Sequence, residues 1–336
     1  MIGTVMTQYK FYILALCAGF GLLAPSAHSA SDVTPSILRV LTYNINALPS
    51  PVIRHKTARL NRIAQILRER REQGTQPDIV VLQEAFGERC NVIIEQSGYK
   101  YVVRGPGRKS GRNPRGTSWG VESGRSYAKR AKPQKFMGSG LIILSDYKIT
   151  NPVFTTFNGK ACAGLDCLAN KAIVMTEITI PGLDSPVKLV TSHFNSNRSA
   201  KAPGAVRLRA HQQQTDILAK FLARTTSMKT PLILAGDFNT RLPARYQYFR
   251  EEINALDAAE SCLKTGISCA LDTQTTPSEV LYLTDDKQFY RSGSATLLTP
   301  VYIERNFREL LDGRALSDHT GYEVHYALDT PGQGGK

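Results

Sequence analysis

The apolar positions of this chain follow two regimes. In the first, short segments rich in apolar and β-branched or aromatic residues recur, several of them apolar almost throughout: residues 37–44, 78–83, 99–103, 140–145, 172–180, 187–193, 231–235, 287–291 and 322–328. Runs of this length and composition predict β-strands, and the lack of polar alternation in several of them predicts strands covered on both faces. In the second, apolar residues recur at helical spacing. Leu60, Ile63 and Leu67 stand at i, i+3 and i+7 in a strongly charged stretch, and Ile217, Leu218, Phe221 and Leu222 follow the polar segment 207–214. These predict two helices. Strands outnumber helices, so the expected fold is a four-layered α/β sandwich, two packed mixed sheets flanked by helices, whose loops at one end collect the polar residues.

The first 30 residues stand outside that pattern. Lys10 precedes an apolar run at 11–24, and the small residues Ala27, Ser29 and Ala30 follow it, the layout of an export leader cleaved near Ser29 or Ala30. The run is shorter than the ~20 residues a spanning helix needs. The expected organisation is a signal peptide at 1–30 and a single domain at 31–336, secreted or periplasmic. Cysteine placement agrees with an oxidising compartment: Cys162 and Cys167, and Cys262 and Cys269, flank short segments that disulfides can close, with Cys90 left over. A zinc site is not expected, because C-x-x-C pairs with neighbouring histidines are missing.

The formal net charge is +14. Much of the excess is local: segment 104–135 carries ten Lys or Arg residues against one acid, Glu122, with Gly, Ser and Pro interleaved and the lone tryptophan, Trp119. Such a basic loop attracts nucleic acid or an anionic membrane surface through the same screened Coulomb term, so charge alone does not choose between them.

Polar chemistry falls at the strand ends. In chain order these residues are Asn44 in L-T-Y-N, Glu84 in V-V-L-Q-E, His193 in V-T-S-H, Asp237 and Asn239 in L-A-G-D-F-N, and Asp318 and His319 in L-S-D-H. A hard carboxylate ligand for a divalent cation, amides to hold phosphate oxygens and imidazoles to move protons are what attack of water on a phosphate ester requires. Phosphoester hydrolysis is the function these motifs predict.

The ordered set N, Q-E, S-H, G-D-F-N, S-D-H resembles the endonuclease/exonuclease/phosphatase superfamily, typified by deoxyribonuclease I, from Leu38 to Leu328. Within it, L-T-Y-N-I-N-A-L-P at 41–49, A-C-A-G-L-D-C-L-A-N-K at 161–171 and A-V-R-L-R at 205–209 look like the bacterial secreted neutral sphingomyelinases. The resemblance implies Mg²⁺, with Mn²⁺ as the alternative, ligated by Glu84, with Asn44 beside it and Asp318 as a water-mediated or second ligand. It implies His319 as general base, oriented by Asp286 of T-D-D-K-Q-F-Y-R with Asp285 as fallback. Asp237 and Asn239 would contact the attacking water and a phosphate oxygen, and His193 a phosphate or leaving-group oxygen, with Asn195 assisting. His55, His211 and His325 lack a motif context and read as surface or structural residues.

The implied activity is a sphingomyelinase-like phospholipase C releasing phosphocholine; the alternative is a secreted Mg²⁺-dependent nuclease. The substrate is accordingly a phospholipid membrane surface or nucleic acid, with no protein partner inferred and a monomer expected. A silent binding protein is disfavoured, since every candidate position keeps suitable chemistry. The pattern departs from the relatives in two places. Ala172 follows Asn170 and Lys171 where many relatives have glycine, and no aromatic-rich hairpin of the kind that enters membranes precedes Ser317, leaving Tyr302 and Phe307 as its nearest substitutes.

Overall fold

Two sheets form because the apolar runs carry core-forming side chains on both faces, which only stacked layers can cover. The computed structural model describes residues 36–48, 56–110, 135–157, 161–264 and 268–330; the expected leader, His55 and positions 111–134 of the basic segment, Trp119 among them, lie outside the described residues. In chain order the first strands are β1 (Ser36–Asn44), β2 (Ile79–Gln83), β3 (Tyr101–Arg104), β4 (Ile142–Ser145), β5 (Lys148–Thr156), β6 (Ala172–Thr179), β7 (Val187–Ser192) and β8 (Leu232–Asp237). They continue with β9 (Leu256–Asp257), β10 (Ala270–Leu271), β11 (Asp286–Arg291), β12 (Leu297–Asn306), β13 (Leu310–Leu311), β14 (Arg314–Ala315) and β15 (Gly321–Asp329). The helices are α1 (Lys56–Glu72), α2 (Asn91–Gln96), α3 (Gly204–Thr225), α4 (Pro243–Glu252), α5 (Ala258–Lys264) and α6 (Pro277–Leu281).

Among the described residues one sheet has the order β10-β12-β15-β1-β2-β4-β3 and the other β5-β6-β7-β8-β11-β9. Both are mixed: β1 runs parallel to β2 and antiparallel to β15, while β8 runs parallel to β7 and antiparallel to β11. Side chains alternate between layers as the strand period of two requires. Leu38 and Val40 of β1, Ile79 and Val81 of β2, and Ile233 and Ala235 of β8 share the inner core. Their neighbours Leu41, Tyr43, Val80 and Leu82 turn outward to meet Leu60, Ile63 and Leu67 of α1. Leu232 and Leu234 likewise face Leu218, Phe221 and Leu222 of α3 and Phe249 of α4. The α/β sandwich expected from the pattern is the fold observed.

The differences have physical causes. Strands β5 and β12 escape a pattern reading because each contains a proline, Pro152 and Pro300, and each is bulged beside it. Helix α4 has little apolar periodicity; its Phe249 is buried in the aromatic cluster, 4.8 Å from Phe238, 5.1 Å from Phe289 and 5.5 Å from Phe194 between ring centroids, with Tyr246 packed against the same cluster. Tyr99 precedes β3, with its hydroxyl donating to the Pro77 carbonyl at 2.7 Å. A short hairpin, β13–β14, does precede Ser317, turning at Asp312 and Gly313, both at positive φ, but it carries no aromatic residue. Phe307 is not a surface substitute for one: it is buried and stacked on Tyr43 at 4.5 Å. Tyr302 lies against His325. Disulfides join Cys162 to Cys167 and Cys262 to Cys269, and Cys90 is free and buried.

Phe249→Ala should lower unfolding free energy by about 3–5 kcal/mol, the cost of emptying an aromatic core site. A urea-unfolding loss under about 1 kcal/mol would show that the α4 face is not part of the core.

Candidate active site

The topology brings the polar strand ends to one edge. The parallel strands β1, β2, β7 and β8 finish there, and their antiparallel neighbours β15 and β11 begin there. Asn44, the last residue of β1, donates from Nδ2 to Asp237 Oδ2 at 2.9 Å, joining the two sheets across the inner core. Its Oδ1 accepts from the Asn46 backbone amide at 3.0 Å, which leaves one oxygen lone pair for a further partner. Gly236 allows the close approach of β7 and β8, since a Cβ there would sit 2.4 Å from the Ser192 carbonyl oxygen.

Three residues at this edge hold left-handed backbone: Asn46 at φ 45°, Glu84 at φ 54° and Asn239 at φ 51°. Asparagine tolerates that region; for Glu84 it is local strain, kept by the Ala47 amide donating to its carbonyl at 3.1 Å and by Ala85 donating to Gly140 at 2.9 Å. Asp237 and Asn239 line the cavity while Phe238 between them is buried in the aromatic core. Asn239 Nδ2 donates to Asp237 Oδ1 at 3.0 Å and to the Phe194 carbonyl at 3.2 Å.

All eight candidate residues, Asn44, Glu84, His193, Asp237, Asn239, Asp286, Asp318 and His319, line one cavity of about 680 Å³. Asp286 opens β11 and pairs in register with Asp237 of β8. It accepts a hydrogen bond from His319 Nδ1 at 2.7 Å, so the ring's Nε2 is turned away from Asp286 and stands 3.9 Å from Asp237 Oδ2. Thr284 bonds the Asp286 amide at 3.0 Å and fixes the carboxylate's root. Asp285 lines the same cavity and accepts from the Arg241 amide at 3.0 Å. His193 Nε2 lies 3.3 Å from Asp237 Oδ2 and 4.0 Å from Glu84 Oε1. Asp318 accepts from Asn46 Nδ2 at 2.9 Å.

The crowding of carboxylates shows in the protonation energetics. Burial, with Asp286 and Asp285 adding to it against His319, pushes the Asp237 carboxyl well above the usual range. Burial also raises Glu84, though the Lys171 ammonium opposes it. His193 is pushed well down by burial, reinforced by Lys171, and so stays neutral. For His319 burial disfavours the charge, but Asp286, in hydrogen-bond contact, together with Asp237 and Asp318 outweighs it and holds the imidazolium up to about 11.

These donors fit a hard divalent cation: Glu84, Asp237, Asp286 and Asp318 face one cavity beside the Asn44 and Asn239 amides. Ligand atoms of Asp237, Asp286 and His319 lie within 4.8 Å of one another. Burial raises the Glu84 carboxyl, and a positive charge beside it favours the ionised form. A second acid–imidazole group, Glu304, Glu323 and His325, is a structural network: Arg70 pairs with Glu323 at 2.7 Å and with Glu304 at 3.1 Å, tying α1 to the sheet.

Asn195 does not face the cavity; it is buried and accepts from the Ala163 amide at 2.8 Å. His211 is structural, its Nε2 2.8 Å from the Phe238 carbonyl oxygen and its pKa pushed down to about 3 chiefly by burial. Several contributors were assigned no role from the sequence. Arg245 is buried in α4, donating to the carbonyls of Asn195 at 2.7 Å and Asn239 at 3.3 Å. Lys171 donates to the Phe194 carbonyl at 2.6 Å and pairs with Asp166 at 3.0 Å. Arg305 lines the cavity, bonded through its guanidinium to Thr320 beside His319. Asn46 had a visible signal: two positions after Asn44, it extends the same side of the chain.

Residues 41–319 match the model of the Endonuclease/Exonuclease/phosphatase family. No curated protein sequence matches the chain. Among solved structures it is similar to sphingomyelinase C from Streptomyces griseocarneus, with a TM-score of 0.60 and 20% identity over 86% of this chain and 99% of that one. A beta toxin mutant from Staphylococcus aureus with bound magnesium ions is similar too, with a TM-score of 0.60 and 17% identity over 86% of this chain and 99% of that one. So is TDP2 from D. rerio complexed with single strand DNA product, with a TM-score of 0.57 and 18% identity over 87% and 99%. At these identities the likeness is one of fold.

In metal-free protein, NMR titration should find His319 protonated throughout the neutral range. Its folded pKa lies above the unfolded value of about 6.5, so its contribution to stability is complete below that pH and is lost as pH rises through about 11. Asp286→Asn should bring the His319 titration down toward ordinary imidazole values. Wild-type His319 titrating near 6.5 would contradict the dyad.

Proposed function

The chain belongs to the endonuclease/exonuclease/phosphatase family, and from that premise we propose that it is an exported, Mg²⁺-dependent phosphodiesterase acting as a sphingomyelinase-like phospholipase C. The observation that carries the catalytic reading is the His319–Asp286 pair at 2.7 Å, with His319 Nε2 directed into a cavity shared with Glu84, His193 and Asp237. The family's phosphoester hydrolysis needs a base, a charge-stabilising wall and an oxygen-rich cation site, and these residues supply all three.

The proposed chemistry is attack of water on phosphorus. Asp237 and Asn239 position the water. His319 Nε2 takes its proton, while Asp286 on Nδ1 fixes the tautomer and stabilises the imidazolium. The new bond joins water oxygen to phosphorus, the ester P–O bond opposite it breaks, and the departing oxygen leaves as an alcohol after gaining a proton. Neutral His193 donates to a phosphate or leaving-group oxygen as negative charge grows there. Glu84 would hold the divalent ion, with Asn44 and Asp318 beside it. When bound, such an ion supplies Lewis acidity toward a phosphate oxygen and offsets the carboxylate field that keeps His319 protonated.

The lining argues for the head group. Glu84, Asp237, Asp285, Asp286 and Asp318 face the cavity together with Arg198, Arg241 and Arg305. An acid-rich wall repels a polyanion and favours a diester whose far end is cationic, as phosphocholine is. The sequence features at 41–49 and 161–171 point the same way. Two disulfides suit the oxidising compartment that export would reach. The nuclease reading rests on one observation, the net charge of +14 with its basic segment at 104–135.

Protein beginning at Ser31 should release phosphocholine from sphingomyelin vesicles with Mg²⁺ and stop when EDTA is added. His193→Ala should lower the rate on the order of 10²–10³-fold, the usual loss of one donor to a developing oxyanion. Glu84→Gln should raise the Mg²⁺ concentration needed for half-maximal rate. Intact lipid with nicked plasmid would replace this reading with the nuclease.

A further inference from the structure

The cavity's mouth is not polar all the way round. Three large apolar residues line it while remaining open to solvent: Leu242 is 42% exposed, Tyr282 63% and Leu283 53%. A single exposed leucine needs no explanation, but three apolar side chains meeting at the rim of a charged pocket form a patch. Arg198 and Arg241, both exposed, line the same mouth.

The patch is presented by rigid backbone. Thr276 and Glu279 close a capping box at the start of α6, and Arg308 pairs with Glu279 at 3.0 Å. At the other end, the buried Lys287 ammonium donates to the carbonyls of Val280 at 2.7 Å and Leu281 at 2.9 Å. The amides of Tyr282 and Leu283 both bond back to Ser278, at 2.9 and 3.1 Å. Leu242 precedes α4, whose Arg245 is fully buried. The backbone that carries these exposed side chains is thus held at several points.

We propose that Leu242, Tyr282 and Leu283 form an interfacial lip that seats the enzyme on a phospholipid leaflet, with Arg198 and Arg241 meeting headgroup phosphates beside the cavity. The proposal rests on the phosphodiesterase reading for its purpose, since the lip surrounds that cavity. Two leucines and one tyrosine suit acyl chains and the headgroup boundary, where a tyrosine keeps its apolar body in lipid and its hydroxyl in water. Single-strand nucleic acid instead calls for successive aromatic platforms, and the lip has one ring. The lip is built from the α6–β11 and β8–α4 connections, and so is separate from the non-aromatic β13–β14 hairpin.

The test is flotation of the full mature protein with phosphatidylcholine–sphingomyelin vesicles containing phosphatidylserine, in EDTA so that binding is read without turnover. The double variant Tyr282→Ser/Leu283→Ser should weaken vesicle binding at least tenfold with an unchanged melting temperature. Met228→Ser, an equally exposed apolar site at 60% but just before β8, at the end opposite the cavity, should leave binding unaltered. Equal flotation of wild type and the double variant would overturn the lip, as would loss of single-stranded oligonucleotide binding with vesicle binding intact. If the double variant melts early, Leu242→Ser, in the separate β8–α4 connection, should still weaken flotation, and its failure to do so would equally overturn the proposal. Because binding is measured apart from hydrolysis, an inactive wild type that floats would count against the catalytic reading and not against the lip.

Discussion

The hydrogen bond from the Asn44 amide to the Asp237 carboxylate, 2.9 Å across the seam between the sheets, is the contact on which the site depends. Asp237 is buried, faces Asp286 in the β8–β11 register and is approached by both His193 and His319. A carboxylate in that position is unstable without donors. Asn44 supplies one from the other sheet, and Asn239 supplies two from its own loop, through its backbone amide at 3.1 Å and its side chain at 3.0 Å. The same bonds therefore satisfy a buried acid and align the two sheets' catalytic ends.

Everything around that contact follows from concentrating acids in a partly enclosed space. Glu84 and Asp237 are pushed up by burial, His193 is pushed down, and His319 holds its proton against burial because Asp286, Asp237 and Asp318 surround it. In the proposed chemistry these opposite displacements separate roles within one cavity: a neutral imidazole for donation, a carboxylate-supported imidazole for proton transfer, and carboxylates whose charge calls for a cation. The strained backbone at Glu84 belongs to the same economy, since it directs an acid where a regular strand end would not.

Much of this was legible in the chain. Strand ends could be located from apolar runs, and the order of polar motifs beyond them indicated one edge. The unreadable parts share a cause. Arg245 and Lys171 act by donating to backbone carbonyls of segments remote in sequence, contacts that no residue spacing marks. Pro152 and Pro300 disguised β5 and β12 as breaks. Phe307 read as a surface aromatic because nothing in the sequence shows that Tyr43 covers it.

The central claim is that the cavity around His319 and Asp286 delivers water to phosphorus. Hydrolysis of a simple diester such as bis(p-nitrophenyl) phosphate in ¹⁸O-labelled water tests it directly. The account predicts one ¹⁸O on the phosphorus of the phosphomonoester product and none in the nitrophenol. Label in the nitrophenol would mean attack at carbon and would contradict the assignment of this cavity to phosphoryl chemistry.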